Sequence, residues 1–173
     1  GKNTMLAGDI RMKGLPNIDV TFIDADIKSL TTVPDDIRVF VKKIALPVEI
    51  DRLGPVIFKG QFLGFYNDFV AFGNLKSELG ELESDLNMKI AENKPEVYSG
   101  NLKAIDFDIG KMYGLTALGK STFDLTIDGS GLELNNFKAK IKGNIDQANI
   151  NNYNYQNLKL DGAIEKKFFK GEA

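Results

Sequence analysis

Apolar and polar side chains alternate with a period of two along much of this chain. In residues 122–128, Phe123, Leu125 and Ile127 are separated by threonine and aspartate residues, and residues 81–90 and 137–145 show the same alternation. Because successive side chains of a β-strand point to opposite faces of a sheet, this pattern predicts strands with one apolar face and one polar face.

The alternation and the turn residues together predict a chain made almost entirely of strands. The predicted strands are residues 5–13, 17–27, 48–53, 56–66, 69–77, 81–90, 97–107, 121–128, 137–150 and 153–169, the last of them broken in two. Short segments rich in glycine, proline, asparagine and aspartate separate these strands and read as turns. Connections this short favour antiparallel neighbours, so we expect a meander of hairpins.

One stretch of the chain has helical rather than strand periodicity. Apolar residues recur at helical spacing from Ile37 to Ile44, and Pro34 suits a first helical turn. A second, shorter turn of helix is predicted near residues 108–113. The sequence therefore predicts a mainly β fold, a long antiparallel sheet with one short covering helix near residues 33–44 at an end or edge of the sheet.

The composition narrows the classes of function. The 173 residues are 43% hydrophobic and 27% charged, which is typical of a globular domain with a real core. The net charge of −2 gives no reason to expect a nucleic-acid partner. With no histidine or cysteine, the chain cannot form a Ser-His-Asp triad, a thiol nucleophile or a zinc site of the usual kind. We therefore expect neither an enzyme nor a cofactor.

Charged residues also recur at two-residue spacing. Asp24 with Asp26, and Asp106 with Asp108, could bind calcium or serve a glycosidase. The same spacing is also typical of a strand face exposed to solvent, and this is how we interpret the acidic pairs. The lysines at 138, 140 and 142 form a similar row, whose functional alternative is contact with anionic lipid head groups.

The distribution of aromatic residues and glycines is the most informative feature of the composition. Six phenylalanines and tyrosines crowd into residues 58–72 among Gly60 and Gly64, with Gly73 just beyond. Glycine weakens a strand unless the backbone must bend or approach something closely, so this mixture favours a sheet that curls sharply. One interpretation is an ordinary sandwich core with bulges, and the other is a curled sheet that leaves an open apolar groove.

The groove interpretation predicts which side chains line it. These are apolar residues on the alternating face: Phe58, Phe62, Phe69, Leu82, Leu86, Met88, Ile90, Phe123, Leu125, Ile127, Phe137, Ile141, Ile145, Leu158, Leu160 and Ile164. Alternation shows that one face is covered, but it does not show what covers that face.

Several stretches, in order, resemble a known family. They are residues 14–18, 53–64, 68–75, 79–88, 98–102 and 153–162. The ordered series is similar to the bacterial translocation and assembly module TamB of the AsmA-like group, in the form found in Bacteroidetes. No single motif in the series is diagnostic, and the resemblance spans almost the whole chain.

The resemblance implies both a fold and a function. TamB-like proteins are anchored in the inner membrane, extend through the periplasm and form a long curled sheet, the β-taco, with a hydrophobic groove. They are implicated in phospholipid transport to the outer membrane and, with a barrel partner, in outer-membrane protein assembly and secretion. Residues 1–173 would then be one internal periplasmic segment of a much larger repeat protein, holding phospholipid acyl chains.

Two other functions stay open at this point. The first is a structural or adhesive β module with a closed core and no lipid. The second is a glycan-active enzyme that uses the paired acidic residues.

Overall fold

A computed structural model of the chain, which describes residues 2–40, 47–133, 135–165 and 168–172, shows one ten-stranded antiparallel sheet whose strands follow one another in chain order. The strands are β1 (Met5–Lys13), β2 (Phe22–Thr32), β3 (Val56–Phe65), β4 (Asp68–Ser77), β5 (Gly80–Lys89), β6 (Val97–Asp108), β7 (Leu118–Ser130), β8 (Lys138–Ile150), β9 (Tyr153–Glu165) and β10 (Phe168–Glu172). The sheet is open and curled, so the predicted fold class is confirmed.

Two predicted strands are wrong in part or in whole. Residues 48–53 were predicted as a strand but form the 3-10 helix Val48–Leu53. Its apolar residues Ile50 and Leu53 are three positions apart, which is one turn of a 3-10 helix, so both can face the core together. The strand predicted at residues 17–27 instead starts with the 3-10 turn Ile18–Val20, and β2 runs on to Thr32.

The two α-helices lie at the same end of the sheet. Helix α1 (Pro34–Phe40) follows β2, and its Asp36 carboxylate accepts hydrogen bonds from the backbone N–H of Asn3 and the hydroxyl of Thr4, both at 2.8 Å. The helix begins at Pro34 as predicted, and the continuation predicted to residue 44 lies outside the described residues. Helix α2 (Ile109–Tyr113) is the predicted second helical turn.

Several glycines inside strands adopt backbone conformations that other residues rarely adopt. Gly100 in β6 has φ of 141° and Gly143 in β8 has φ of 151°, backbone conformations that L-residues rarely adopt. A Cβ at Gly100 would overlap the carbonyl oxygen of Asp85, and one at Gly143 would overlap that of Asp124. Each strand therefore bends and approaches its neighbour closely at a point where a side chain would not fit.

The compact core lies at one end of the strands. It comprises Leu53, Val56, Leu79, Ala104, Phe107 and Phe123, each 9% exposed or less. The 3-10 helix Val48–Leu53 and α2 cover this end of the sheet, and we call these two segments the cover. Arg52 holds the cover together by donating a hydrogen bond to the Met112 carbonyl at 2.9 Å.

Candidate apolar trough

The strand register aligns apolar side chains into four rows on one face of the sheet, which we call the inner face. The first row is Leu6, Leu30, Phe58, Leu75, Leu82, Ala104, Phe123, Ile145 and Leu158. The second row is Gly8, Ile27, Gly60, Gly73, Ser84, Leu102, Leu125, Gly143 and Leu160. The third row is Ile10, Ala25, Phe62, Ala71, Leu86, Gly100, Ile127, Ile141 and Gly162. The fourth row is Met12, Ile23, Gly64, Phe69, Met88, Tyr98, Gly129, Ala139 and Ile164.

These rows bring together the side chains that alternation selected. Every predicted lining residue except Ile90 and Phe137 lies in one of the four rows. Those two directly follow β5 and precede β8, two positions from Met88 and Ala139. The Phe137 ring lies 6.4 Å from that of Tyr98, measured between centroids, so it reaches the inner face.

The cover divides the inner face into a closed part and an open part. Phe123 belongs to the compact core, and Leu82, Leu125 and Ile145 pack against it. These four predicted lining residues are therefore in contact with the protein's own core. This closure follows from the cover, whose 3-10 helix is distant in sequence from the core residues of β6 and β7 that it meets.

Much of the rest of the inner face between β3 and β9 is half-buried, whereas Tyr98, Ala139 and Ile141 are buried. Phe62, Leu86, Ile127 and Leu160 all lie between the buried and exposed extremes. The described strands all belong to one sheet, so within the described residues no second sheet packs on this face. We call the second, third and fourth rows from β3 to β9 the apolar trough, whose second row meets the core at Leu102 and Leu125.

Aromatic rings and small residues shape the trough. A Cβ built at Gly60 or at Gly73 would lie 2.9 Å from Cζ of Phe58, so this ring covers the glycine pair. The Phe62 and Phe69 rings stack with centroids 4.6 Å apart. Farther along the third row, Leu86 has only Ala71 and Gly100 as its direct cross-strand neighbours, which leaves space beside it.

One aromatic residue of the trough carries a polar group. Tyr98 is 4% exposed and its hydroxyl donates a hydrogen bond to the Gly131 carbonyl at 3.1 Å. Burial raises the pKa of this hydroxyl far above its ordinary value. The side chain therefore stays neutral and adds its ring to the apolar surface.

The structure also places inner-face residues that the sequence-based prediction left out. Examples are Leu75 in β4 and Tyr98 and Leu102 in β6. The signal was present as alternation, but alanine and glycine at the intervening inner positions weakened it. By contrast, Phe65 and Phe72 from the aromatic cluster point to the opposite, outer face, where they are 37% and 45% exposed.

The charged rows on the outer face are paired with each other. Lys138 forms an ion pair with Glu165 and Lys142 with Asp161, both at 2.8 Å across the β8–β9 pair. The hydrogen bond and charge of Asp161 raise the pKa of Lys142. This pairing neutralises two members of the lysine row and weakens the case for anionic head groups there.

The paired acidic residues have separate structural roles. Asp108 is buried and caps α2 by accepting a hydrogen bond from the Lys111 N–H at 2.8 Å, whereas Asp106 is exposed at a bulge with φ of 50°. An open outer-face hollow is lined by Glu83, Asp85 and Lys103 together with Phe72, so its wall is mixed polar and apolar. Among the described residues no group of three or more acidic side chains could hold a metal ion.

Comparison of the chain with protein-family models, with curated proteins and with solved structures finds no match. None of the helices in the described ranges is both long enough and apolar enough to span a bilayer.

Proposed function

We propose that the apolar trough holds the acyl chains of lipids, and that this chain is a segment of a lipid conduit in a Gram-negative envelope. The observation that supports the proposal is an apolar face that runs from β3 to β9 in an open, curled sheet and is half-buried over much of its length. A soluble domain rarely leaves so large a contiguous apolar surface without a ligand or partner.

An acyl chain could bind in the trough without any specific polar contact. Each buried methylene contributes about 0.8 kcal/mol, so an acyl chain of about 16 carbons gains on the order of 10 kcal/mol before the cost of ordering it. The trough matches this requirement, because Ser84 is the only hydroxyl-bearing residue of its rows besides Tyr98, which is already hydrogen-bonded. The site would accept the tail and leave the head group in solvent.

The resemblance to TamB-like proteins supports the wider context. By this resemblance, the proposed conduit would lie in the periplasm as part of an inner-membrane-anchored protein that contributes to outer-membrane biogenesis, with phospholipid as cargo and an outer-membrane barrel as a partner. These assignments belong to the proposal. Their support is the ordered series of similar stretches together with the open sheet.

A pair of matched substitutions tests the proposal. Leu86→Asp places a charge in the trough beside Ala71 and Gly100, where few side chains pack against it. Leu63→Asp makes the same change at a position that is 48% exposed on the outer face. We expect the wild type to bind a fluorescent fatty acid saturably and Leu86→Asp to weaken this binding about tenfold or more, because a charge would be desolvated by the tail. Leu63→Asp should bind like the wild type.

The folded state of each variant is checked by circular dichroism, and native mass spectrometry measures co-purified phospholipid. Absence of saturable uptake by the folded wild type would reject lipid binding and favour a structural or adhesive β module, whose core would be the cluster under the cover. Equal losses in both variants would show that binding does not use the inner face.

A further inference from the structure

The hollow on the outer face spans four central strands of the sheet, β4 to β7. Its volume is about 750 Å³, which lies within the range of about 300–1,000 Å³ that is typical of small-molecule sites. The side chains that line it stand at outer-face positions of these strands, whereas the apolar trough lies on the inner face. The hollow is therefore a second surface, separate from the trough.

One outer row across the hollow holds an ammonium group between two carboxylates. Lys103 of β6 lies directly opposite Glu83 of β5 on one side and Asp124 of β7 on the other. Within the described ranges no ion pair links Lys103 to either carboxylate, whereas the directly opposed pair Lys142–Asp161 on the same face is closed at 2.8 Å. These three groups therefore keep hydrogen-bonding capacity that a ligand in the hollow could use.

The neighbouring outer row adds an aromatic ring and an amide. Phe72 of β4 is 45% exposed and lies directly opposite Asp85 of β5. Asn101 of β6 lies on the other side of Asp85, and its Oδ1 accepts a hydrogen bond from the Thr126 hydroxyl at 3.1 Å. This hydrogen bond orients the amide and leaves its Nδ2 group to donate to a ligand.

An exposed ring among carboxylate, amide and ammonium groups has the chemistry that a carbohydrate requires. A sugar ring has an apolar face that can lie against an aromatic ring, and its hydroxyl groups both donate and accept hydrogen bonds. The carboxylates of the hollow accept such hydrogen bonds, and its amide and ammonium groups donate them. An acyl chain in the same place would desolvate these charged groups without compensation, so a lipid tail is the wrong ligand for this face.

We propose that the hollow binds an oligosaccharide of neutral or amino sugars, with one sugar ring on Phe72 and its neighbours hydrogen-bonded to the two polar rows. Neighbouring strands are about 4.8 Å apart, so β4 and β7 are separated by about 14 Å, which is longer than one sugar ring. Three carboxylates and one ammonium group line the hollow, so its charge disfavours sugars that carry carboxylates. The inference does not rest on lipid binding, because the hollow and the trough lie on opposite faces.

Titration calorimetry with three sugar hexamers tests the ligand class. We expect the wild type to bind the hexamers of glucosamine and of N-acetylglucosamine saturably, and to bind the hexamer of galacturonic acid about tenfold more weakly or less, because its carboxylates would face those of the hollow. Phe72→Ala should weaken binding of the first two hexamers about tenfold, because it removes the ring on which the sugar lies. Leu63→Ala is the matched control, since Leu63 is 48% exposed on the outer face but does not line the hollow, and it should bind like the wild type.

A charge-removing variant tests the role of the carboxylates. Asp85→Asn keeps the shape of a side chain in the middle of the hollow and removes its charge. At low ionic strength it should weaken binding of the cationic glucosamine hexamer more than binding of the neutral N-acetylglucosamine hexamer, and added salt should reduce this difference. Circular dichroism checks that each variant is folded.

Several results would overturn the proposal. They are a folded wild type that binds neither expected hexamer, equal losses in Phe72→Ala and Leu63→Ala, and binding of the galacturonic acid hexamer as tight as that of the others. Tighter binding of a lysine hexapeptide than of the glucosamine hexamer would instead indicate a site for basic peptides. Fatty-acid uptake by a wild type that binds no sugar would reject the sugar site while leaving the proposed function intact.

Discussion

Replacement of Gly100 by alanine tests whether β6 adopts a left-handed backbone at this position, close against β5. Gly100 has φ of 141°, in a region where an L-residue costs about 1–3 kcal/mol. The added Cβ would also overlap the Asp85 carbonyl oxygen and lie 3.1 Å from the Leu86 Cα, so β5 and β6 would have to separate locally. Both effects act on the backbone, which cannot move aside as a flexible side chain can.

The expected loss of stability can be measured by thermal unfolding. A penalty of about 2 kcal/mol or more should lower the melting temperature by about 4–8 °C in a domain of this size. Gly119→Ala is the matched control in β7, because its Cβ would meet only side-chain atoms of Asn149, the nearest at 2.9 Å. We expect its stability to stay within about 1 kcal/mol of the wild type.

The result that would refute this reasoning is a Gly100→Ala protein as stable as the wild type. It would mean that β6 does not adopt the left-handed backbone at this point. An equal loss in Gly119→Ala would show that any added methyl group destabilises the strands, independently of the bend.

Two further predictions concern the core and the end of the sheet. Phe123→Ala should lower the free energy of unfolding by about 3–5 kcal/mol, because this side chain is 9% exposed under the cover. Leu160→Ala, in the open trough, should lower the free energy of unfolding by only about 1 kcal/mol. Urea titration measures both variants, and equal losses would contradict the division of the inner face into a closed and an open part. Hydrogen bonds, of which that from the Thr4 hydroxyl is the largest cause, lower the pKa of the Asp36 carboxyl from its ordinary value of 3.8. The ionised carboxylate therefore stabilises the folded state above that pH, and this stabilisation is lost as the pH falls through the folded pKa. Asp36→Asn should therefore remove part of the acid sensitivity of unfolding between about pH 2 and pH 5, and an unchanged pH profile would contradict the assigned contact.

The alternation of apolar and polar residues predicted the strand bounds well in β1 and in β3 to β5. Strand β1 has the predicted bounds of residues 5–13, β3 and β4 differ from prediction by one residue at one end, and β5 is shifted by one residue. The strand predicted to run from 153 to 169 is broken into β9 and β10, as expected. In these strands the local pattern and the final environment agree, because most side chains on each face lie beside the side chains of neighbouring strands.

The prediction was wrong where a short segment packs against a distant one. Residues 48–53 alternate like a strand, yet their apolar side chains Ile50 and Leu53 meet a core built from β3, β6 and β7. A six-residue segment satisfies both a two-residue and a three-residue period, so its conformation depends on the contacts that it makes. The proposed lining residues Phe123 and Leu82 show the same effect, since the cover closes over them.

The sequence by itself determined most of the strands and which of their side chains share a face, because a period of two is a local property of an extended backbone. Tertiary structure alone decided where that face is closed by the cover and where it stays half-exposed. It also decided that Asp9 and Asp26, seventeen positions apart in the chain, lie opposite each other. Both outcomes depend on strand register and on the bend at each glycine, which bring together residues that are distant in the chain.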